Sequence, residues 1–237
     1  MTGFTGQSLK IASYNIRAGL GTDLRRDPAR TLATIAALEA DLVVLQEADF
    51  RMGQRPSALP RDLIAAETGL VTLALDGHPD SLGWHGIAVL HRPEHAPRRS
   101  RVIDLPGLEP RGAVIADLDT GLGPLRLAGV HLGLLRQSRR RQLDHLRAAL
   151  AEDPAPPVLV AGDFNEWSVK RGLGRLARDF AIVTPGRTFP SRRPLLPLDR
   201  IAHGPELSVT PLPLPPLPHG SRPSDHLPIL ARVARAD

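Results

Sequence analysis

The fold class depends on PVLVAGDFN, residues 157–165, where an apolar run ends abruptly in polar side chains. The near-continuous apolar half is typical of a strand buried on both faces of a sheet. In an extended chain, Asp163 and Asn165 lie two residues apart and point to the same side, with Phe164 turned to the other. Because ligands bind at strand ends in α/β sheets, this stretch predicts a functional site at the end of a buried strand.

Three further apolar runs end in the same way. Each is short enough to be a strand and carries side chains that bind metals or phosphate near its end: LKIASYNI (9–16) with Asn15, DLVVLQE (41–47) with Gln46 and Glu47, and LRLAGVHL (125–132) with His131. Asp27 and Pro28 are a typical helix start and predict a helix that ends around Ala40. The stretch 136–150 predicts an amphipathic helix. Alternating strands and helices indicate an α/β fold.

The rest of the chain indicates more strands and one more helical stretch, near 168–178. Strands are predicted at 86–92, 101–106, 112–119, 198–204, 207–212 and 226–233. The segment PLPLPPLP (211–218) predicts a stiff, extended connection. Because strand ends from both halves are needed to complete one site, we expect residues 1–237 to form a single domain.

Charge and composition narrow the classes of partner. The net charge is +5, and Lys10 and Lys170 are the only lysines among 30 basic residues. Arginine suits bidentate contacts with phosphate, so the excess favours nucleic acid, anionic lipid or phosphorylated metabolites, although biased codon usage explains it equally well. The absence of cysteine excludes disulfides and thiolate metal sites. Without a signal-peptide apolar region or an apolar run of about 18 residues, we expect a cytoplasmic monomer with no transmembrane segment.

Oxygen donors dominate the polar strand ends. Asp199 in LDRI and Asp225, which precedes His226, add two carboxylates to those above. Carboxylate and amide oxygens suit a hard cation such as Mg²⁺ or Mn²⁺, whereas a zinc site would contain more histidine or cysteine. The predicted oxygen set is Asn15, Glu47, Asp163, Asn165, Asp199 and Asp225.

Six short motifs, NIR, LQEAD, GVHL, AGDFN, LDRI and SDHLP, occur in this order between about residues 9 and 233. Together they resemble the endonuclease/exonuclease/phosphatase superfamily of metal-dependent phosphodiesterases. The resemblance implies a four-layer α/β sandwich, in which two packed mixed β-sheets are flanked by helices and the polar strand ends meet at one edge.

The resemblance also implies a metal site and residues that act on water and phosphate. Glu47 resembles the principal ligand of Mg²⁺ or Mn²⁺, with Asn15 beside it and Asp225 completing or relaying the coordination. Asp163 resembles the residue that positions or deprotonates the attacking water. Asn165 resembles the amide that holds a non-bridging phosphate oxygen.

Two histidines complete the implied set, and an arginine outside the resemblance is a further candidate. His226 resembles a histidine paired with Asp199, which fixes its tautomer. His131 resembles one that stabilises charge on the phosphorus-bound oxygens. Whether Asp163 or His226 is the general base stays open. Arg111 is a candidate for substrate binding, and the alternative for it is a solvated surface arginine.

One strand departs from the family pattern. In DNase-I-like members, the histidine equivalent to His131 is paired with a carboxylate on an earlier strand, but GWHGIAVLHR (83–92) carries none. His85 stands near that place. The departure weakens the case for a DNase-I-like endonuclease and leaves the partner of His131 open.

The implied function is hydrolysis of a phosphoester, in the first place a phosphodiester, by in-line attack of an activated water. The substrate is a small or lipid-derived phosphodiester or nucleic acid. Two alternatives stay open: a relatively non-specific endo- or exonuclease acting on DNA or RNA, and a non-catalytic descendant that binds an anionic partner. Aromatic residues make up 3% of the chain, which disfavours stacking on bases.

A serine hydrolase triad is disfavoured, although Ser224, Asp225 and His226 are adjacent. Neighbouring residues in an extended chain point to opposite sides, so this aspartate and this histidine cannot orient one another. The chain also lacks a G-x-S-x-G nucleophile elbow. Ser224 is therefore predicted to form local hydrogen bonds.

Overall fold

The computed structural model describes residues 7–75, 80–151 and 156–236. Within them lie twelve strands: β1 (Leu9–Asn15), β2 (Leu42–Gln46), β3 (Val71–Thr72), β4 (Ala88–His91), β5 (Pro97–Leu105), β6 (Arg111–Thr120), β7 (Gly123–His131), β8 (Val158–Asp163), β9 (Ala181–Val183), β10 (Asp199–His203), β11 (Leu207–Pro211) and β12 (Ile229–Arg235). The helices in the same residues are α1 (Pro28–Ala37), α2 (Arg61–Thr68) and α3 (Arg136–Leu150), with shorter helical turns at Arg17–Gly19, Val169–Leu173 and Leu176–Arg178.

The strands form two six-stranded mixed sheets. The first has the order β11-β12-β1-β2-β4-β3, and the second has the order β5-β6-β7-β8-β10-β9. The β1–β2 and β7–β8 pairs are parallel. The remaining neighbours are antiparallel. Each parallel pair is joined by a connection that contains a helix, as a parallel crossover requires.

Three apolar clusters make the sandwich a four-layer structure. The central cluster contains Ile11 and Val44 from the first sheet and Leu127 from the second, so it lies between the two sheets. A second cluster joins the outer face of the first sheet to α1 and α2. A third joins the outer face of the second sheet to α3. This arrangement confirms the predicted sandwich of two packed mixed sheets flanked by helices.

Strand direction brings the polar residues of both sheets to one edge. In the first sheet Asn15 pairs in register with Gln46. In the second, Asp163 is the register partner of both His131 and Asp199. The edge where β1, β2, β7 and β8 end and where β6, β10 and β12 begin is called the site edge below. The alternation of each strand turns these side chains inward, towards the space between the sheets.

The helical stretch predicted near 168–178 is present, but as two short turns, since Gly172 and Gly174 weaken helix formation there. Some short elements were missed. Helix α2 and strands β3 and β9 were not predicted, because they are eight, two and three residues long and carry little periodicity. Leucines of the proline-rich segment pack against the outer cluster of the first sheet. Within the described residues, no helix is long and apolar enough to cross a bilayer.

Gly162 is required by the close approach of β8 to β7. A Cβ atom at this position would lie 2.0 Å from the backbone oxygen of Val130, its register partner. Backbone on both strands would have to separate to admit a side chain. The glycine that precedes Asp163 in the AGDFN motif therefore has a packing role.

We expect Gly162→Ala to lower the free energy of unfolding by about 3 kcal/mol, because overpacking against backbone cannot be relieved by a rotamer change. Gly186→Ala is the matched control. No atom lies within 4 Å of a Cβ there, so its effect should stay within about 1 kcal/mol. Urea unfolding of both variants measures the difference. Equal stabilities of the two variants would contradict the packing role.

Candidate active site

Two buried carboxylates form the centre of the site edge. Asp163 and Asp199 are register partners, and their residues are 1% and 0% exposed. Burial raises the pKa of Asp163 to about 7, and the charge of Asp199 acts in the same direction. Buried charges of one sign are costly unless donors or cations face them. The groups around these carboxylates must therefore supply that compensation.

Asp163 receives donors from both sheets. Its Oδ2 atom accepts a hydrogen bond from Asn15 Nδ2 at 3.1 Å, and the distance to His131 Nε2 is 3.5 Å. His226 Nε2 lies 3.8 Å from the same oxygen. The other oxygen, Oδ1, accepts the backbone N–H of Asn165 at 2.9 Å. The carboxylate therefore links the first sheet, the second sheet and the segment before β12.

The predicted pairing of His226 with Asp199 is present. His226 Nδ1 lies 2.9 Å from Asp199 Oδ2, which also accepts the hydroxyl of Thr188. Burial acts to lower the pKa of His226, but the charge and hydrogen bond of Asp199, together with Asp163, raise it to about 9. His226 is thus positively charged at neutral pH and offsets the charge of its two carboxylate neighbours. The second oxygen of Asp199 is buried without a hydrogen-bond partner.

His131 is paired with Arg111, which resolves the partner that the sequence left open. Arg111 Nη1 lies 2.9 Å from His131 Nδ1. Since a guanidinium can only donate, Nδ1 must be the acceptor, and the ring proton must sit on Nε2, on the side facing Asp163. Burial, followed by the charges of Arg111 and His226, holds the pKa of His131 well below its usual range. His131 is therefore a neutral donor.

The sequence did not identify Arg111 as a buried residue. It is 9% exposed rather than a solvated surface arginine, because Glu109 binds its guanidinium at 2.8 and 3.1 Å. His85, the residue near the expected place for the histidine's partner, instead contacts Asp104 at 2.9 Å and the side chain of Arg55. The Nδ1 side of His131 is therefore connected through Arg111 to Glu109, rather than directly to a carboxylate.

The three predicted metal ligands lie on the side of the edge that the first sheet forms. Asn15 Nδ2 is 3.4 Å from Glu47 Oε1, and Arg51 approaches the same oxygen at 3.3 Å. Asp225 is connected to them through Arg17, which contacts Asp225 Oδ2 at 3.4 Å through Nε and Asn15 Oδ1 at 3.1 Å through its backbone N–H. The long contacts of Glu47 leave its carboxylate open to a cation.

The backbone at Glu47 is held in an unusual conformation. Its φ is 53°, in the left-handed region that non-glycine residues seldom adopt. Gly86 packs against it, and a Cβ on Gly86 would lie 3.3 Å from Glu47 Cα. The Gly86 carbonyl also accepts the N–H of Ala48 at 2.8 Å. Such strain persists only where the surroundings impose it, and it is common at functional sites.

Asn165 does not follow the extended-chain argument. Strand β8 ends at Asp163, and Asn165 has a φ of 49°, so the chain turns between them. Its backbone N–H closes an Asx turn onto Asp163, and its Nδ2 donates to the Leu132 carbonyl at 2.9 Å. Phe164 does point to the opposite side, where it is fully buried in the outer cluster of the second sheet.

Ser224 forms a local hydrogen bond, as predicted, and also one to a residue distant in sequence. Its hydroxyl donates to the Asn15 carbonyl at 2.7 Å and accepts the backbone N–H of His226 at 3.2 Å. The residue is fully buried. These contacts fasten the segment before β12 to the end of β1, so Ser224 is a structural residue here.

Two cavities open onto the site edge and meet at Glu47 and Arg51. The first has a volume of about 190 Å³ and is also lined by Arg55, Arg111 and His131. The second has a volume of about 470 Å³, and its walls include Arg17, Arg26, Phe50 and Met52. Arginine side chains thus line the cavities on both sides of Glu47, as an anionic ligand would require.

Some supporting residues carry no signal in the sequence. Arg139 is buried and pairs with Glu166 at 2.8 Å, which fixes the loop after β8. The sequence predicts an amphipathic helix at 136–150 but does not indicate that Arg139 is buried in it. Thr188 lies in a segment without secondary structure, and nothing local relates it to Asp199.

One set of potential metal-binding atoms is compact. Single donor atoms of Asp163, Asp199 and His226 lie within 4.8 Å of one another. However, the Nδ1 atom of His226 is already hydrogen-bonded to Asp199. That contact matches an ion-paired proton-handling group better than a metal site, whereas Glu47 faces the cavities.

Comparisons with known proteins agree with this architecture. Residues 12–226 match the family model described as the Endonuclease/Exonuclease/phosphatase family. The Escherichia coli K12 protein named uncharacterized protein YbhP is 38% identical over 165 residues, which cover 64% of this chain and 63% of that protein. The match therefore spans just under two thirds of that relative's length.

Solved structures share the fold at low identity. An endonuclease/exonuclease/phosphatase from Beutenbergia cavernae has a TM-score of 0.71 at 20% identity, covering 97% of this chain and 72% of that one. D. rerio TDP2 complexed with single strand DNA product gives 0.68 at 22% identity, covering 96% and 99%. The human Nocturnin catalytic domain with bound sulfate anion gives 0.70 at 19% identity, covering 97% and 95%.

We expect Arg111→Met to change the tautomer of His131 from the single Nε2–H form to a mixture, because the donor to Nδ1 is lost. The ring ¹⁵N chemical shifts of His131 report this directly. Arg55→Met, which removes the arginine beside His85 in the same cavity, is the control and should leave the His131 shifts in place. Unchanged shifts in Arg111→Met would show that Arg111 does not set the tautomer.

Proposed function

The chain belongs to the endonuclease/exonuclease/phosphatase family, and on that premise we propose that it is a divalent-metal-dependent hydrolase of phosphodiesters. Members of this family are generally hydrolases that act on phosphoester bonds. The observation that carries the proposal is the convergence of Asn15, His131 and His226 on Asp163 Oδ2. A binding module without catalysis would have no reason to keep a carboxylate in so buried and so costly a place.

We assign Mg²⁺ or Mn²⁺ to Asn15, Glu47 and Asp225. The fit rests on a donor set made only of oxygen atoms and on the open carboxylate of Glu47 beside two cavities. The ion, when bound, would neutralise charge on the phosphate and increase the acidity of water. Arg17 and Arg51 contact Asp225 and Glu47, and they orient those carboxylates.

Asp163 is the proposed general base. A pKa of about 7 suits proton abstraction near neutral pH. His226 is disfavoured for this role, because an imidazole with a pKa of about 9 is protonated and has no free lone pair. The pair of His226 and Asp199 serves instead to place a positive charge beside the reacting oxygens and to keep Asp163 oriented.

His131, Arg111 and Asn165 act on the phosphate in this scheme. The Nε2–H of His131 donates to an oxygen that gains charge during in-line attack, and the buried Arg111 guanidinium adds a fixed positive charge behind it. Asn165 holds a non-bridging oxygen once its amide is released from the Leu132 carbonyl. The His131 donor and the Arg111 charge are in place before substrate arrives, whereas the Asn165 amide must rearrange.

A small or lipid-derived diester is the favoured substrate class. The cavity of about 190 Å³ beside Glu47 accommodates a compact phosphate group. A nuclease is the second candidate, and the arginines of both cavities favour it. D. rerio TDP2, which was solved with a single-strand DNA product, shares the fold.

We expect Glu47→Ala to reduce hydrolysis of bis(4-nitrophenyl) phosphate, a soluble diester, by about 100-fold or more with Mg²⁺ or Mn²⁺. Removal of the metal with EDTA should have the same effect. Ser224→Ala is the matched buried control and should keep most of the activity. Comparing hydrolysis of the small diester with the nicking of plasmid DNA distinguishes a diesterase from a nuclease. Activity that survives Glu47→Ala would exclude the metal assignment, and inactivity of the parent on every ester would favour the non-catalytic alternative.

A further inference from the structure

The large apolar side chains that are exposed in the described residues are concentrated at one end of the molecule. Seven of eight lie in loops at the site edge, with exposed fractions from 50% to 86%. They are Leu24, Met52, Leu108, Leu134, Leu135, Trp167 and Leu195. The eighth, Leu63, lies on helix α2. Scattered single exposed apolar residues are normal, but their concentration around one site indicates an interaction surface.

Two hydrogen bonds connect loops that carry these side chains. The backbone N–H of Leu134 donates to Glu109 at 2.9 Å, which ties the loop after β7 to the turn that carries Leu108. Arg192 donates to the Thr22 carbonyl at 3.0 Å, and so connects the loops of Leu195 and Leu24. The apolar side chains are therefore presented by a braced set of loops.

The exposed charge on the same loops is almost entirely positive. We call residues 17–27, 48–57, 106–110, 132–136, 165–171, 184–197 and 219–227 the site-edge rim. Its one exposed acid is Asp23, which pairs with Arg30 at 2.7 Å. Two further exposed acids lie beside the rim: Asp80 in the loop before β4, and Asp104 at the end of β5, which pairs with His85 at 2.9 Å. The exposed basic residues of the rim are Arg25, Arg26, Arg51, Arg136, Lys170, Arg171, Arg187, Arg192, Arg193 and Arg222. The rim is thus apolar and basic together.

We propose that the site-edge rim docks on the surface of an anionic phospholipid bilayer. Leucine and methionine side chains lose exposure to water when they enter the boundary between head groups and acyl chains. Arginines beside them attract anionic head groups. A nucleic acid would match the charge, but it offers no apolar phase for the aliphatic side chains. Trp167 is the one strongly exposed aromatic residue on the rim for base stacking.

Docking in this orientation points the site edge at the bilayer. Both cavities beside Glu47 then open towards the head groups, and Met52 lies on the wall of the larger one. This inference about substrate rests on the proposed function: the substrate class is a phosphodiester that belongs to, or is held at, a lipid surface. The docking itself needs neither metal nor turnover.

Co-sedimentation of the full chain with vesicles tests the docking. We expect binding to equimolar phosphatidylglycerol and phosphatidylcholine vesicles to exceed binding to pure phosphatidylcholine vesicles by about tenfold or more at moderate ionic strength. The triple variant Leu24→Ser, Leu108→Ser and Leu135→Ser should lose about tenfold of this affinity. Leu63→Ser, on the outer helix layer, should bind like the parent.

Two double variants test the contribution of the positive charge. Arg192→Ser with Arg193→Ser should weaken binding to the anionic vesicles about fivefold or more. Arg98→Ser with Arg99→Ser removes the same charge at the opposite end of the second sheet, where β5 begins, and should weaken it much less. Circular dichroism of every variant confirms that the fold is retained.

Several results would overturn the proposal: no sedimentation with anionic vesicles, equal binding of the triple variant and the parent, or equal effects of the two arginine pairs. Rim-dependent binding of a single-stranded oligonucleotide without vesicle binding would also overturn it, in favour of nucleic acid. Because binding is measured without metal, Glu47→Ala should still sediment. Failure of docking is therefore distinguishable from failure of catalysis.

Discussion

The carboxylate of Asp163 is the point on which both sheets depend. It is almost completely buried, and three nitrogen atoms from separate parts of the chain face a single oxygen. A carboxylate in this environment is stable only when donors surround it. The two sheets must therefore meet with Asn15 on one side and His131 on the other. The polar residues of the site edge are thus arranged around the Asp163 carboxylate.

The charged side chains of the site edge alternate in sign from its centre outward. Asp163 and Asp199 form a negative centre, and His226 carries the positive charge between them. Around them stand arginines: Arg111 is held by Glu109, Arg17 by Asp225 and Arg51 by Glu47. Each of these cations has a partner, so the site is close to balanced before any ligand binds. The excess of positive charge lies on the loops beyond, where it can attract an anion without destabilising the core.

Much of this could be predicted from the sequence, because strand ends are local features. The apolar runs before Asn15, Glu47, His131 and Asp163 identified their strands. Parallel pairing explains why the two ends within each sheet are neighbours, and the packing of the two sheets brings both pairs together. The pairing of His226 with Asp199 followed from the family resemblance. The partner of His131 could not be predicted, since Arg111 is distant in sequence and an arginine at the start of a strand usually faces solvent. The turn at Asn165 was missed for a different reason: extended geometry was assumed one residue too far.

We propose that Asp163, which donors from both sheets hold in place and whose pKa burial and Asp199 raise to about 7, is the base that activates water. The most direct test is the rate of phosphodiester hydrolysis by Asp163→Asn, a variant of nearly identical shape that cannot accept the proton. The three apolar clusters hold the layers together without this charge, so we expect the variant to keep the fold. We expect its rate to be lower by about 100-fold or more, because the general base is lost. A folded Asp163→Asn that hydrolyses the diester at the parent's rate would contradict the account.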